Sequence, residues 1–328
     1  AGVPQSPVNW RPAQNPATPL ADYNRDGISD YAVWRPGSGT WFALTNEPSG
    51  NAAAVLQRQW GVPGDMPVRG DFDGDGYLDL TVWRPGSGVW YICPSSSGYD
   101  CGQGANVQFG LWGDFPLSGD IDGDGKDDLI VWRAHLDAGP MQIIGQWYYM
   151  RSSDGGFGTV QFGLPGDIPN TADFDGDGRD DLVIYRPQTG QWYRKSVAEG
   201  GSLSEVPLQW GLPGDYPLPA DYDGDGIADA AVWRPASGMW YICPSSAGPQ
   251  TITCSGGAAV QLGLPGDIPV AGDFDGSGAA SPGVWRPKLG AVEGTWYTLN
   301  LTNWQIKVQQ WGLMGDLPIG IRSVNASH

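Results

Sequence analysis

Histidine is nearly missing. The chain of 328 residues holds two, His135 and His328. No Gly-x-Ser-x-Gly elbow occurs either, so a hydrolase triad has no obvious nucleophile. Basic residues are scarce, with 18 Lys and Arg against 36 Asp and Glu and a net charge of −18. That balance argues against nucleic-acid binding, which wants a basic footprint. No run of 18 apolar residues exists, so no segment reads as a transmembrane helix. No uninterrupted helical period of useful length occurs. No signal-peptide pattern opens the chain at Ala1, and a leader is expected to have been removed or omitted.

What is abundant points elsewhere. There are 51 Gly, 28 Pro, 17 Trp and 13 Tyr. Disordered chains are poor in aromatics, so this composition reads as many short strands joined by tight turns. An acidic stretch recurs at a spacing of about 50 residues, starting at Asp22, Asp71, Asp120, Asp173, Asp221 and Asp273. Its clearest copy is Asp71-Phe72-Asp73-Gly74-Asp75-Gly76-Tyr77-Leu78-Asp79. Four short strand patterns fall in each unit: Met66–Gly70, then Leu80–Pro85, Val89–Ile92 and Asn106–Gly110. Four antiparallel strands per unit of this length are the pattern of a propeller blade. The expected fold is therefore an all-β propeller of six four-stranded blades in one domain, 1–328. Repeats begin near 17, 66, 115, 168, 216 and 268, and 1–16 and 315–328 are closing segments. A rudimentary seventh blade, pairing Val8–Pro12 with Asp316–Gly320, is the alternative to a simple latch.

The acidic stretch places carboxylates at positions 1, 3, 5 and 9, with Gly at 6. Alternating acids on a tight turn gather hard oxygens, the donor set of Ca²⁺. Position 7 holds side chains with no shared chemistry, which suits a backbone carbonyl ligand. The expected ligands are Asp22, Asn24, Asp26, Ile28 and Asp30 in loop 1, then Asp71, Asp73, Asp75, Tyr77 and Asp79 in loop 2. Loop 3 offers Asp120, Asp122, Asp124, Lys126 and Asp128. Loop 4 offers Asp173, Asp175, Asp177, Arg179 and Asp181, and loop 5 offers Asp221, Asp223, Asp225, Ile227 and Asp229. Loop 6 keeps only Asp273 and Asp275, with Ser277 and Ser281 at positions 5 and 9. About five Ca²⁺ ions are expected. An EF-hand would need a bidentate Glu at position 12, where Val33, Val82, Val131, Ile184 and Val232 stand. An Asp-Gly turn without metal is the plain alternative, and it weakens with each complete copy, because crowded carboxylates repel.

The four cysteines form two local pairs, Cys93 with Cys101 and Cys243 with Cys254, each after a Trp-Tyr-Ile-Cys-Pro-Ser-Ser run. Each reads as a disulfide closing one hairpin in an oxidising compartment. A zinc site is the rival, and no further ligands repeat with the pairs. The pairs sit in repeats 2 and 5. Insertions at His135–Gly145 and Lys288–Gly294 sit in repeats 3 and 6. Offsets of about 150 residues thus mark a duplicated three-blade half.

The acidic loop after a short strand, with Phe109-Gly110 or Phe162-Gly163 nearby, resembles FG-GAP and VCBS repeats. Those build calcium-binding propellers like the integrin α-subunit head, and they include lectins and modules of secreted enzymes. The resemblance covers about residues 17–320. It implies calcium at loop positions 1, 3, 5, 7 and 9. The Trp-Arg-Pro element and the count of six depart from the integrin pattern.

Ligand candidates beyond calcium are of two kinds. Trp-Arg pairs repeat, among them Trp83-Arg84 and Trp233-Arg234, and such pairs stack sugars or clamp anions. Packing between blades is the plainer reading, since periodic residues in repeat proteins are usually structural. The insertions break the repeat, and loops on rigid scaffolds carry function. Their polar members are His135, Asp137, Gln142, Lys288 and Glu293. The expected function is a secreted or cell-surface, non-catalytic, calcium-stabilised module that binds a glycan or an extracellular protein in the manner of a lectin or adhesion domain. A polysaccharide-cleaving lyase or glycosidase, or a purely structural module, is the alternative.

Overall fold

The structure, a computed structural model, describes residues 21–47, 52–136, 143–197, 203–245, 254, 257–288 and 293–320. Six four-stranded antiparallel sheets make up the fold. Blade 1 contains β1 (Tyr31–Arg35), β2 (Thr40–Leu44) and β3 (Ala54–Gln59). Blade 2 is β4 (Met66–Val68), β5 (Leu80–Arg84), β6 (Val89–Cys93) and β7 (Ala105–Gln108). Blade 3 is β8 (Phe115–Gly119), β9 (Asp128–Leu136), β10 (Ile143–Met150) and β11 (Phe157–Gln161). Blade 4 is β12 (Ile168–Ala172), β13 (Asp181–Arg186), β14 (Gln191–Lys195) and β15 (Leu203–Gln209). Blade 5 is β16 (Tyr216–Pro217), β17 (Ala230–Arg234), β18 (Met239–Cys243) and β19 (Ala258–Gln261). Blade 6 is β20 (Ile268–Gly272), β21 (Ser281–Arg286), β22 (Thr295–Leu299) and β23 (Ile306–Gln310). The last strand, β24 (Leu317–Ile319), pairs with β1 and supplies the fourth strand of blade 1. The C-terminal segment is thus a latch that closes the ring. The Val8–Pro12 echo lies outside the described residues. Among the described residues no helix is long and apolar enough to cross a membrane.

The second strand of each blade is buried on both sides, as the pattern of β5 shows, and so reads as a continuous apolar run. Its aromatic residue, Trp in five blades and Tyr185 in blade 4, faces the Trp of the third strand in register, as Trp83 faces Trp90 and Trp132 faces Trp147. In blade 2 both indoles donate to one acceptor, the Phe109 carbonyl, at 3.1 and 2.8 Å. Blade 3 repeats this on the Phe162 carbonyl. In blades 2 and 3 the aromatic pair therefore fills the sheet-to-sheet space and fixes the exit of the fourth strand with both indole N–H groups. In blades 1, 5 and 6 one indole of each pair donates in this way, and the N–H of Trp34, Trp240 or Trp296 finds no partner among the described residues.

The Arg after each buried Trp makes a bidentate pair with the Asp that precedes its own blade's first strand. Arg84 binds Asp65 at 2.7 and 2.9 Å. Arg35 reaches Asp316 in the same way across the ring closure. Each Asp also accepts a backbone N–H of its turn, as Asp65 does from Val62. Each guanidinium lies over the ring that follows the third-strand Trp, Tyr91 in blade 2 and Tyr241 in blade 5, at 4.3 Å. These turns need glycine. Gly88 has φ +65°, and a Cβ there would run into the carbonyl of Gly110.

Cys93–Cys101 and Cys243–Cys254 are disulfides, each in the connection between the third and fourth strands. A chain ended after Gly315 would lack both Asp316 and β24. Its thermal midpoint, followed by circular dichroism, is expected to fall well below that of the full chain. An unchanged midpoint would mean that blade 1 stands on three strands.

Candidate metal centre

The acidic loops each lead into the second strand of their blade, loops 2 to 6 directly from the first strand, and share one face of the ring. In loop 2 the carboxylate of Asp71 is held by amides of its own loop, from Gly74 at 2.6 Å, Asp75 at 3.2 Å and Gly76 at 2.7 Å. Asp79 accepts from the Phe72 amide at 2.9 Å and from the Ser95 amide at 2.7 Å, after the third strand. Asp75 accepts from the Ser95 hydroxyl at 2.6 Å. Ser152 and Ser245 do the same for Asp128 and Asp124, and for Asp229 and Asp225. The loops are thus wound around carboxylates by backbone N–H groups, and the side chains keep further oxygens to offer.

Four loops bring three carboxylates together, each with an oxygen within 4.8 Å of the others. They are Asp71, Asp73 and Asp79; Asp120, Asp122 and Asp128; Asp173, Asp175 and Asp181; and Asp221, Asp223 and Asp225. Oxygens that share one Ca²⁺ at 2.3–2.6 Å stand no more than about 5 Å apart. These clusters can therefore hold metal ions and suit calcium. Among the described residues no such carboxylate trio forms in loops 1 and 6, where Asn24 and then Ser277 and Ser281 stand at ligand positions.

Position 7 has a second role. A Cβ added to Gly74 would meet the side chain of Lys126, one at Gly123 that of Arg179, and one at Gly176 that of Ile227. The position-7 side chain of each loop therefore lies over the position-4 glycine of the loop before it. Long aliphatic stems serve as well as Ile, with their charged ends left in water. In loop 1 position 4 is Arg25, at φ +65°, and its guanidinium stacks over the Tyr77 ring at 4.5 Å. The same group donates to Asp75 at 2.6 Å and to the Ser95 carbonyl at 3.0 Å. Loops are also joined through backbone. Position 8 donates to the position-1 carbonyl of the preceding loop, Asp127 to Asp71 and Asp180 to Asp120 at 2.7 Å, and Ser29 to Asp273 at 2.7 Å across the closure.

Burial pushes the position-9 carboxyls up, to about 8 at Asp79 and about 7 at Asp30, Asp128, Asp181 and Asp229. Amide donors oppose the shift, as the Ser95 and Phe72 amides do at Asp79. The same desolvation raises Asp22, Asp71, Asp120, Asp173 and Asp221. The site is an acidic ring short of positive charge, which a divalent ion would complete.

The other candidate residues are scattered. Trp83 and Trp233 are fully buried. Arg84 and Arg234 spend their donors on Asp65 and Tyr91, and on Asp215 and Tyr241. These pairs pack blades and present little to a ligand. His135 lies in β9, opposite Ile144 of β10. Asp137 and Gln142 lie outside the described residues. Lys288 is half-buried and Glu293 exposed. The hairpin β9–β10 is the long one, with strands of 9 and 8 residues where blade 2 has 5 and 5. It leaves the face opposite the acidic loops.

Trp112 escaped the sequence reading. It is 83% exposed, in the turn that leads into blade 3 on the hairpin face. Its position is Pro63, Pro165, Pro213, Pro265 or Met314 in the other turns. That break in an otherwise regular repeat was the available signal.

A profile described as FG-GAP-like repeat matches residues 120–184 and 173–232. No curated protein matches the chain. Among solved structures, a Lactobacillus plantarum protein is similar at 14% identity and a TM-score of 0.33, over 85% of this chain and 67% of that one. A candidate 6-phosphogluconolactonase from Bacteroides uniformis is similar at 11% identity and a TM-score of 0.43, over 90% of this chain and 83% of that one.

The raised carboxyls set a pH dependence for the metal-free protein. An unfolded Asp titrates near 3.9, so the folded chain binds more protons than the unfolded one between about pH 4 and 8. Their contribution is fully present below pH 4 and is lost as pH rises through about 7 to 8. Melting curves in excess chelator should therefore show a midpoint that falls from pH 5 to pH 8. A rising midpoint would contradict the burial of these groups.

Proposed function

We propose that this chain, an FG-GAP-type propeller of six blades, is a calcium-stabilised extracellular recognition module that binds a glycan or a protein without chemistry of its own. The observation that carries the calcium part is the repeated trio of aspartates at calcium spacing, wound by loop amides. Hard carboxylate oxygens in a flexible loop are the donor set that Ca²⁺ prefers. Asp71, Asp73 and Asp79 in loop 2, Asp120, Asp122 and Asp128 in loop 3, and Asp221, Asp223 and Asp225 in loop 5 would hold the ions. Bound calcium would supply the positive charge that the buried position-9 carboxylates need above pH 7. Two disulfides support an oxidising, extracellular setting.

The recognition part rests on the hairpin face. The acidic loops bind one another from blade to blade, while the lengthened β9–β10 hairpin and Trp112 lie on the opposite face. There the long β9–β10 hairpin rises from blade 3, with the insertion of blade 6 half a ring away. Trp112 stands at the approach to blade 3. An exposed indole is a stacking platform for a sugar ring or an anchor for a peptide side chain.

Two measurements test this. Adding calcium to chelator-treated protein at pH 7.5 should raise the thermal midpoint. Each site at 100-fold saturation adds about 2.7 kcal/mol of stability. An unchanged midpoint with metal loss confirmed would remove the calcium reading. Replacing both insertions by the blade 2 turn Arg84-Pro85-Gly86-Ser87-Gly88, together with Trp112→Pro, should keep the midpoint and abolish the wild-type signals on a glycan array. Retained array binding would move recognition off the hairpin face.

A further inference from the structure

We propose that blade 4 carries its own cation. The guanidinium of Arg194 occupies the metal position of loop 4, so that loop stays free of calcium at concentrations that fill loops 2, 3 and 5. This rests on the calcium reading above. Arg194 lies in β14, and its Nη1 is 3.2 Å from carboxylate oxygens of both Asp175 and Asp181. Those two, with Asp173, are the trio of loop 4. One group thus bridges positions 3 and 9, the two carboxylates that a bound ion would bridge.

The other blades serve as controls within one molecule. Arg194 faces Val183 in register. The matching third-strand residues are Ala43, Ile92, Tyr149, Ile242 and Thr298, facing Ala32, Thr81, Ile130, Ala231 and Gly283. None of these five carries a charge. Two further departures fall in the same blade. The serine that binds positions 5 and 9 in blades 2, 3 and 5 is replaced by Val197. The pairing of β14 with β15 also slips between Trp192 and Arg194, and such a bulge re-aims a side chain.

The chemistry makes the arrangement permanent. Arg stays protonated at any working pH, so its charge does not titrate away as that of His would. A divalent ion entering loop 4 would have to displace the guanidinium and its charge-assisted hydrogen bonds, or bear its repulsion at close range. Loop 2 is a contrast. There Arg25 takes Asp75, which is outside the trio of Asp71, Asp73 and Asp79, and leaves that trio open.

The test is calcium stoichiometry on the full chain after chelator treatment, by isothermal titration with Ca²⁺ and by Tb³⁺ luminescence. Arg194→Ile, the residue of blades 2 and 5, should add one site per chain. Arg194→Lys should leave the wild-type count. Two further variants do not depend on how the Ile variant folds. Asp181→Asn should leave the wild-type count unchanged, while Asp79→Asn lowers it by one. An Asp181→Asn protein that loses a site, or an Ile variant that folds and gains none, overturns the proposal and leaves calcium binding standing. No calcium uptake in any of these proteins overturns both readings.

Discussion

The fold depends on a carboxylate placed where carboxylates are expensive. The position-9 aspartate opens the second strand of five blades and is almost completely buried. It accepts the amide at position 2 of its own loop and, in blades 1, 2, 3 and 5, an amide from beyond the third strand. One side chain thereby ties its own loop to the segment beyond the third strand, 16 residues on in blades 1, 2 and 5 and 24 in blade 3. An amide or hydroxyl could accept the same bonds, as Ser281 in blade 6 suggests by its position, but would bring no charge to attract an ion. The geometry that organises the blade also gathers the carboxylate oxygens that could hold a metal ion.

Because adjacent loops touch, the acidic face behaves as a ring and not as six separate turns. Position-8 amides pass to the preceding loop at five of the six junctions, and between loops 1 and 2 the Arg25 guanidinium spans to Tyr77 and Asp75 instead. Order imposed on one loop is transmitted to its neighbour through hydrogen bonds of 2.6–2.7 Å. The hairpin face has no such continuous seam. Its turns are pinned singly, by an Arg, an Asp and an aromatic ring, and leave Val62, Leu111, Leu164, Leu212 and Leu264 exposed. Rigidity collects on one face and sequence freedom on the other.

Much of this was legible without coordinates, because each blade writes its strands, turns and loops in the same order. The six blades, the acidic loops and the cysteine pairs follow from spacing alone. The aspartate partners of the Trp-Arg pairs could be counted, though not the ring beneath each arginine, Phe42 in blade 1 and a tyrosine elsewhere, which needs the strand register. Arg194 was invisible for the same reason. It lies outside the acidic motif, on a strand that meets the loop only after the sheet forms. Arg25 looked like a loose copy of a glycine, and its reach into the next loop depends on how adjacent blades are set. Trp112 was readable as a departure from proline, but departures matter only once their face is known.

The pairing of β24 with β1 has a consequence for how the molecule is made. The second strand of blade 1 emerges from the ribosome early, with Tyr31, Val33 and Trp34 bound for the core. Its inner neighbour, Leu317–Ile319, is synthesised after every other blade. Until then those residues have an open edge and no cover on one side. The blades between can assemble in order as they appear, while the first waits for the last. Vectorial synthesis thus leaves the first sheet of this ring the final one to be finished, and any holding factor that meets the growing chain would find its unfinished surface there.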